Sequence, residues 1–392
     1  MKYKKKNMYI PYSRQFIDQE DIKNVIKVLK SDYISQGPLL NKFANDLIKY
    51  TSSKYVTLVN SGTSALHTAC ASLGLKKNDK LWTVPNSFCA SSNCGLFQGA
   101  KIDFVDIDKN TYNVCIKKLR EKLFFSKKKK ILPKILVVVH FAGNPCELKK
   151  LKILSKKFGF KIIEDASHAL GSTYEDIRIG NPKYSDAVIT SFGPVKSITT
   201  AEGGAVFTNI KKNYLFNEIF RQSGVQKDPR FFIKKKTQGW WNEQQVLGYN
   251  YKLSEIHASL GITQLRKINL FVKKRNKLSK IYEKRLTKEI KYQKITKNSI
   301  SSRHLFVIRV NKNIHSRLFN FLRRKKIGVQ IHYIPIYKHP YYKNILKYKK
   351  NLGEVEKYYS EAMSIPLYYS FKKNQQDKVI KLINNFVRNN HN

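Results

Sequence analysis

The chain has 392 residues, 42% of them hydrophobic, enough to bury a large domain with a smaller one beside it. Lys and Arg number 75 against 27 Asp and Glu, and a formal net charge of +48 raises nucleic acid or an anionic surface as a partner. The basic residues are spread along the whole length, with short clusters at 127–130, 234–236 and 323–326. No zinc-finger spacing, RNP-like motif or basic heptad run accompanies them, so the pattern predicts solvated basic faces and no specific nucleic-acid partner.

Cys70, Cys89, Cys94, Cys115 and Cys146 show no CxxC or other ligand-like pairing, which predicts free thiols in a reducing compartment and no metal site. The basic start KYKKK is followed by MYIPYSRQF, which is not an apolar export core. No apolar run approaches the roughly 18 residues of a membrane span. The expectation is a cytoplasmic protein without membrane insertion.

In chain order, residues 20–31 put Ile22, Val25, Ile26 and Leu29 on one helical face. The polar, Gly/Pro-bounded loop SDYISQGP follows, and Leu40, Phe43 and Leu47 mark a second amphipathic helix. YVTLVNSGTSALHTACASLGL reads as a strand, a tight polar turn and a helix with Leu66, Ala69, Cys70 and Leu73 on one face. Gly62, Thr63 and Ser64 then lie at the helix N-terminus, where free N–H groups and the positive end of the helix dipole suit a phosphate. Gly62 would let the backbone come close, and the hydroxyls of Thr63 and Ser64 would add donors. A plain helix cap is the alternative for the same residues.

The segment KLWTVPNSFCASSNCGLFQGAKIDFVDID predicts strand, helix and strand, with Phe88 at the first junction. KILVVVH is a buried strand ending at His140, and Leu148, Leu151, Leu154 and Phe158 face inward from the next helix. KIIED, DAVITSF and GGAVFTN are three more short apolar runs. Strands alternating with helices predict an α/β fold with a mostly parallel sheet between helices, and ligands at the carboxyl ends of the strands. GYNYKLSEIHASLGITQL reads as a polar turn before a helix with Leu253, Ile256, Leu260 and Gln264 along it. From about 270 a lysine-rich helix, the strand HLFVIRV, a helix around 318–322, the stretch GVQIHYIPIY and a last helix with Val379, Leu382, Ile383 and Phe386 predict a smaller C-terminal α/β domain. The expected division is 1–265 for the N-terminal segment and large domain, and 266–392 for the small one.

Asp165 ends the run KIIED, and Lys196 follows four residues after DAVITSF closes at Phe192. Pyridoxal 5'-phosphate needs an amine to capture its aldehyde and an anion beside its ring nitrogen, and these two residues are candidates for those roles. Partial burial would bring the lysine towards a usable nucleophile.

SFGPVKSITTAEGGA, preceded by EDASHALG, resembles the fold-type-I, pyridoxal-phosphate-dependent nucleotide-sugar aminotransferases of the DegT/DnrJ family, in particular those of pseudaminic acid biosynthesis. The likeness runs from YIPYSRQFIDQEDI to EAMSIPLYYSFKKNQQDKV, nearly the whole chain. It implies an enzyme that moves an amino group from L-glutamate to C4 of a UDP-linked 4-keto-6-deoxy-N-acetylhexosamine. By resemblance, Phe88 stacks on the cofactor ring, His168 stands near its phenolic oxygen and Ser191 bonds its phosphate. Asn250 reaches the phosphate in a partner subunit, which makes a homodimer with composite active sites. The segment with Tyr12 and Gln15 is implied to pass close to the active site, with Tyr12 on the substrate; the loop residues Asp32, Tyr33, Ile34 and Ser35 are implied to contribute to the sugar-nucleotide pocket, and His332 and Tyr333 to line its sugar side. Gly193 and Ser223 depart from the resemblance, since a His or an aromatic residue is common at the first place and a His at the second.

Overall fold

Residues 9–235, 237–346 and 352–390 are described by the computed structural model; the KYKKK start and Lys236 lie outside them. The apolar runs form seven strands of one sheet: β1 Tyr55–Val59, β2 Lys80–Thr83, β3 Lys101–Phe104, β4 Ile135–Val139, β5 Lys161–Asp165, β6 Ala187–Ser191 and β7 Gly204–Thr208. Their order is β1-β7-β6-β5-β4-β2-β3. The run from β6 to β3 is parallel, and β7 alone is antiparallel to both its neighbours. Both faces of β4 are buried, as expected of a central parallel strand whose sequence is continuously apolar. In register, Asp165 lies between Val139 and Ile189, while Gly204 lies between Val59 and Ser191. The carboxyl ends of β1, β5 and β6 therefore open on the same edge, and β7 starts there.

The helix Gly62–Ser72 packs on β1, β6 and β7 and buries every residue from Ser64 to Cys70, so Leu66, Ala69 and Cys70 are covered as expected but not as one face, and Leu73 is only partly buried. The helix Leu148–Phe158 buries all four residues expected of it. In the C-terminal part, Phe306–Arg309 pairs antiparallel with Ala362–Ile365 and Lys291–Tyr292. A second hydrophobic core forms there around Tyr282, Phe306, Leu318, Phe371 and Ile383. The unbroken 31-residue helix Glu255–Arg285 serves both cores: Ile262, Ile268 and Phe271 lie in the large one, Leu278 and Tyr282 in the second. The expected boundary at 265/266 falls inside this helix.

The first helix, Gln19–Leu29, differs from expectation: Ile22, Ile26 and Leu29 are exposed, and the buried residues are Asp21 and Val28. A polar cluster sets its orientation. The Asp21 carboxylate, fully buried, accepts from Thr263 Oγ1 (2.5 Å) and Gln264 Nε2 (2.8 Å) and pairs with Lys267 Nζ (2.9 Å). It also accepts from the Asp18 backbone N–H, closing the capping box at the helix start. Asp21→Ala leaves this set of buried donors without its acceptor and is expected to destabilise the fold by about 3–5 kcal/mol. A lowered urea midpoint at unchanged slope is the readout, and an unshifted midpoint would count against this account.

Candidate active site

Three segments meet at the carboxyl edge of the sheet around a cavity of about 280 Å³. The first is the turn from β1 into the helix Gly62–Ser72. Ser61 is the N-cap; its Oγ accepts from Ser64 N (3.0 Å), and Ser64 Oγ accepts in turn from Ser61 N (3.0 Å). Ser64 also donates to Asn60 Oδ1 (2.7 Å), so its hydroxyl is spent in the cap and the residue does not line the cavity. The N–H groups of Gly62 and Thr63 have no partner among the described residues, and both residues line the cavity. Both sequence readings therefore meet in one turn: a cap made by Ser61 and Ser64, and free donors at Gly62 and Thr63. Gly62 is required sterically, because a Cβ there would stand 2.8 Å from Ser191 Cβ.

The second segment is the end of β5. Asp165 is 5% exposed; its Oδ2 accepts from Ser91 Oγ (2.7 Å) and its Oδ1 from Ser167 N (3.1 Å). Ser91 Oγ is itself 2.7 Å from the Oγ of Ser87, four residues earlier in the bend before the helix Ala90–Leu96. Beyond it His168 is buried, with Nε2 3.3 Å from Tyr333 Oη and Nδ1 unpartnered. The His304 ring packs 4.3 Å behind it. Burial first, then the charge of Lys196 and the neighbouring His332 ring, hold the His168 imidazole well below the usual histidine range. His332, bonded through Nδ1 to Ser364 Oγ (2.8 Å), is lowered to about 3 by burial and by Lys196. Burial likewise pushes the Tyr333 phenol up, so these side chains are neutral near pH 7.

The third segment is the loop from β6 to β7. Phe192 C=O accepts from Thr200 N (2.9 Å) and Thr199 Oγ1 (3.2 Å), while Phe192 N donates to Gly203 O (2.8 Å), which closes the loop. Lys196 is displayed from it into the cavity with Ser191, Asp165 and His168. Burial lowers the Lys196 amine below 10.5, and the Asp165 carboxylate opposes that shift. Gly193 leaves room beside it, since a Cβ there would meet Ser191 Oγ only at 3.7 Å and Lys196 Cγ at 3.9 Å.

A family model of the DegT/DnrJ/EryC1/StrS aminotransferases matches residues 15–384. The chain belongs to this aminotransferase family. Within it, the chain is 38% identical over 362 residues to the UDP-4-amino-4,6-dideoxy-N-acetyl-beta-L-altrosamine transaminase of Campylobacter jejuni strain 81-176, covering 91% of this chain and 92% of that one. It is 31% identical to the transaminase of the same name from Helicobacter pylori, over 91% of this chain and 92% of the relative. Among solved structures, Helicobacter pylori PseC, an aminotransferase involved in the biosynthesis of pseudoaminic acid, superposes with a TM-score of 0.87 at 27% identity, over 97% of this chain and 100% of that one. A putative sugar aminotransferase, Spr1654 from Streptococcus pneumoniae, shares the fold with a TM-score of 0.87 at 24% identity, over 97% and 99% of the two chains.

The aminotransferase fold brings together Gly62, Thr63, Phe88, Asp165, His168, Ser191, Lys196 and Tyr333 around the cavity. Phe88, in the segment between β2 and the helix Ala90–Leu96, is 58% exposed there, an unusual state for a large aromatic ring. Tyr12 and His332 stand just behind, their rings 5.4 Å apart. Asp32, Tyr33, Ile34 and Ser35 do not join them: the loop lies exposed against the start of the helix Glu255–Arg285, where Ser35 O accepts from Glu255 N (3.0 Å). Asn250 is exposed and lines no part of this cavity; its bridge is to Gln222. Among the described residues no cluster of three His, Cys, Asp or Glu could hold a metal, and no helix is long and apolar enough to cross a membrane.

Sequence reasoning missed Ser87 and Ser91, whose i, i+4 spacing in NSFCASS was the available signal, and Ser167 and Glu202, which carried none. The residues fit the phosphate-bearing aldehyde expected from the sequence: two free backbone N–H groups, a buried carboxylate, an orphaned imidazole nitrogen and a partly desolvated amine share one cavity. Because the Lys196 amine is lowered, its neutral form accumulates as pH rises earlier than that of a solvated lysine. Reductive trapping with pyridoxal phosphate, mapped by mass spectrometry, is expected to rise at Lys196 at a lower pH than at the surface lysines; coincident curves would refute this.

Proposed function

We propose that the chain is a pyridoxal-phosphate-dependent transaminase that moves an amino group from L-glutamate to C4 of a UDP-linked 4-keto-6-deoxy-N-acetylhexosamine, giving UDP-4-amino-4,6-dideoxy-N-acetyl-beta-L-altrosamine. The observation that carries the reading is the meeting of Lys196, Asp165, His168 and the free helix N-terminus in one cavity of a chain 38% identical to a transaminase of that name. Its five cysteines are free, in keeping with a cytoplasmic setting.

The phosphate would be held by the Gly62 and Thr63 N–H groups, the Thr63 and Ser191 hydroxyls and the helix dipole. Phe88 would cover one face of the ring, and His168 Nδ1 would face its phenolic oxygen. When bound, pyridoxal phosphate supplies an aldehyde to take up the amino group and a ring to accept the electron pair left by a broken C–H bond. Asp165, fixed by Ser91 and Ser167, holds the proton on the pyridine nitrogen. Lys196 Nζ removes the α proton of glutamate as a base and, in the second half-reaction, delivers a proton to C4 of the sugar as an acid. The desolvated amine suits both roles, since a share of it is neutral nearer working pH than on a solvated lysine. Tyr12, His332 and Tyr333 stand on the sugar side, and Asp32 to Ser35 join them once a second subunit is in place. Asn250 is read as reaching the partner's phosphate in a homodimer, in agreement with its exposure and its absence from its own cavity.

Visible absorption tests the first half-reaction. Purified protein is expected to show the visible band of a protonated lysine adduct of pyridoxal phosphate, and glutamate is expected to bleach it. Lys196→Ala lacks that band as a lysine adduct; a protein with no band after incubation with the cofactor would end the transaminase reading. NMR of the product at C4 then decides the substrate, and the opposite C4 configuration would move the chain to a sister sugar aminotransferase.

The composite site has its own test. Lys196→Ala and Asn250→Ala, each inactive alone, are expected to regain about a quarter of wild-type activity when unfolded and refolded together, because half the dimers are hybrids with one intact site. No recovery despite hybrid formation would place Asn250 outside the partner's site.

A further inference from the structure

A second recess, of about 820 Å³, lies away from the cavity described above. It runs between the C-terminal half of the helix Glu255–Arg285 and a small sheet built from Thr173–Tyr174, Ile177–Arg178 and Ser299–Ile300. Lys273, Lys277, Lys280 and Lys284 line its helical wall at i, i+4, i+7 and i+11, one face of the helix over about 16 Å at 1.5 Å per residue. None of the four makes an ion pair among the described residues. On the opposite wall Arg178 is held in place: its guanidinium lies 4.3 Å over the Tyr50 ring and donates to Tyr50 Oη (2.8 Å) and Asn269 Oδ1 (3.3 Å). The floor is apolar, with Val272, Ile281 and Ile300, and Asp176 is the acidic residue at the rim. Lys273 and Lys277 also edge a neighbouring recess with Lys274 and Lys372, so the basic surface continues over the helix.

We propose that this groove binds single-stranded nucleic acid through its phosphate backbone, without reading sequence. A net charge of +48 spread evenly would attract any polyanion weakly everywhere. Here cations instead line two walls of a concavity, which concentrates the potential. A flexible phosphate chain can follow such a trough, with sugars and base edges against the apolar floor. A membrane is a plane and meets convex ridges, not a recess. No aromatic ring lines the groove to stack on bases, so attraction is carried by phosphates and is indifferent to sequence.

The test compares two variants of equal charge. One carries Lys273→Gln, Lys277→Gln, Lys280→Gln and Lys284→Gln; the other carries Lys127→Gln, Lys128→Gln, Lys129→Gln and Lys130→Gln, a basic run outside the groove. Binding of a fluorescein-labelled oligouridylate of twelve nucleotides is followed by anisotropy over a range of salt. The groove variant is expected to bind about tenfold or more weakly, and its log K against log salt to flatten by about 3, from roughly 0.7 for each of four phosphates. The control keeps near wild-type slope and affinity. Equal losses in the two variants would overturn the proposal, as would a groove effect seen with phosphatidylserine vesicles and not with the oligonucleotide. Lys280→Glu alone, expected to weaken binding severalfold, serves as the second variant should the quadruple one misfold, and an unchanged affinity there would also overturn it.

Discussion

Two close backbone approaches at one edge of the sheet hold the cavity together. A Cβ on Gly62 would collide with Ser191, and one on Gly204 would stand 2.4 Å from the Ser61 carbonyl oxygen. The N-terminus of the helix Gly62–Ser72 is thereby pressed against the last residue of β6. The antiparallel β7 can then fill the gap between β1 and β6, and the loop that joins β6 to β7 has to turn at this edge. Lys196 sits on that loop, so its distance from the helix N-terminus follows from two missing side chains.

The same edge is kept electrically simple. Burial drives the imidazoles of His168, His304 and His332 towards the neutral form and the phenol of Tyr333 away from ionisation. A pocket crowded with titratable groups thus presents fixed hydrogen-bonding partners near neutral pH, and Lys196 is the side chain whose proton is made easier to lose. His304 reinforces this from behind, since its ring fills the space against His168 that water would otherwise enter.

Much of this was legible in the sequence, for identifiable reasons. The strands of the sheet are short apolar runs stopped by polar, Gly or Pro residues, and a buried parallel strand has no other way to be written. Asp165 and Lys196 could be placed because each sits a fixed few residues from such a run. What escaped depended on orientation. The apolar side of the helix Gln19–Leu29 was visible, yet Asp21, held by three polar groups of another helix, decides which side is buried. Ser64 was visible as a hydroxyl beside a phosphate turn, but the Ser61 cap takes that hydroxyl up. The exposed loop at Asp32 to Ser35 and the exposed Asn250 carry no pattern that says what they face, and within one chain neither lines the cavity.

The helix Glu255–Arg285 has a consequence for motion. A hinge needs a few residues free to change φ and ψ, and here the two cores share 31 residues of continuous helix with side chains locked into each. Bending at that crossing would open one core or the other. Tyr333 packs against the large core that also carries the sheet and the loop bearing Lys196, so the two sides of the cavity rest on one packed body, like the jaws of a gauge set before use.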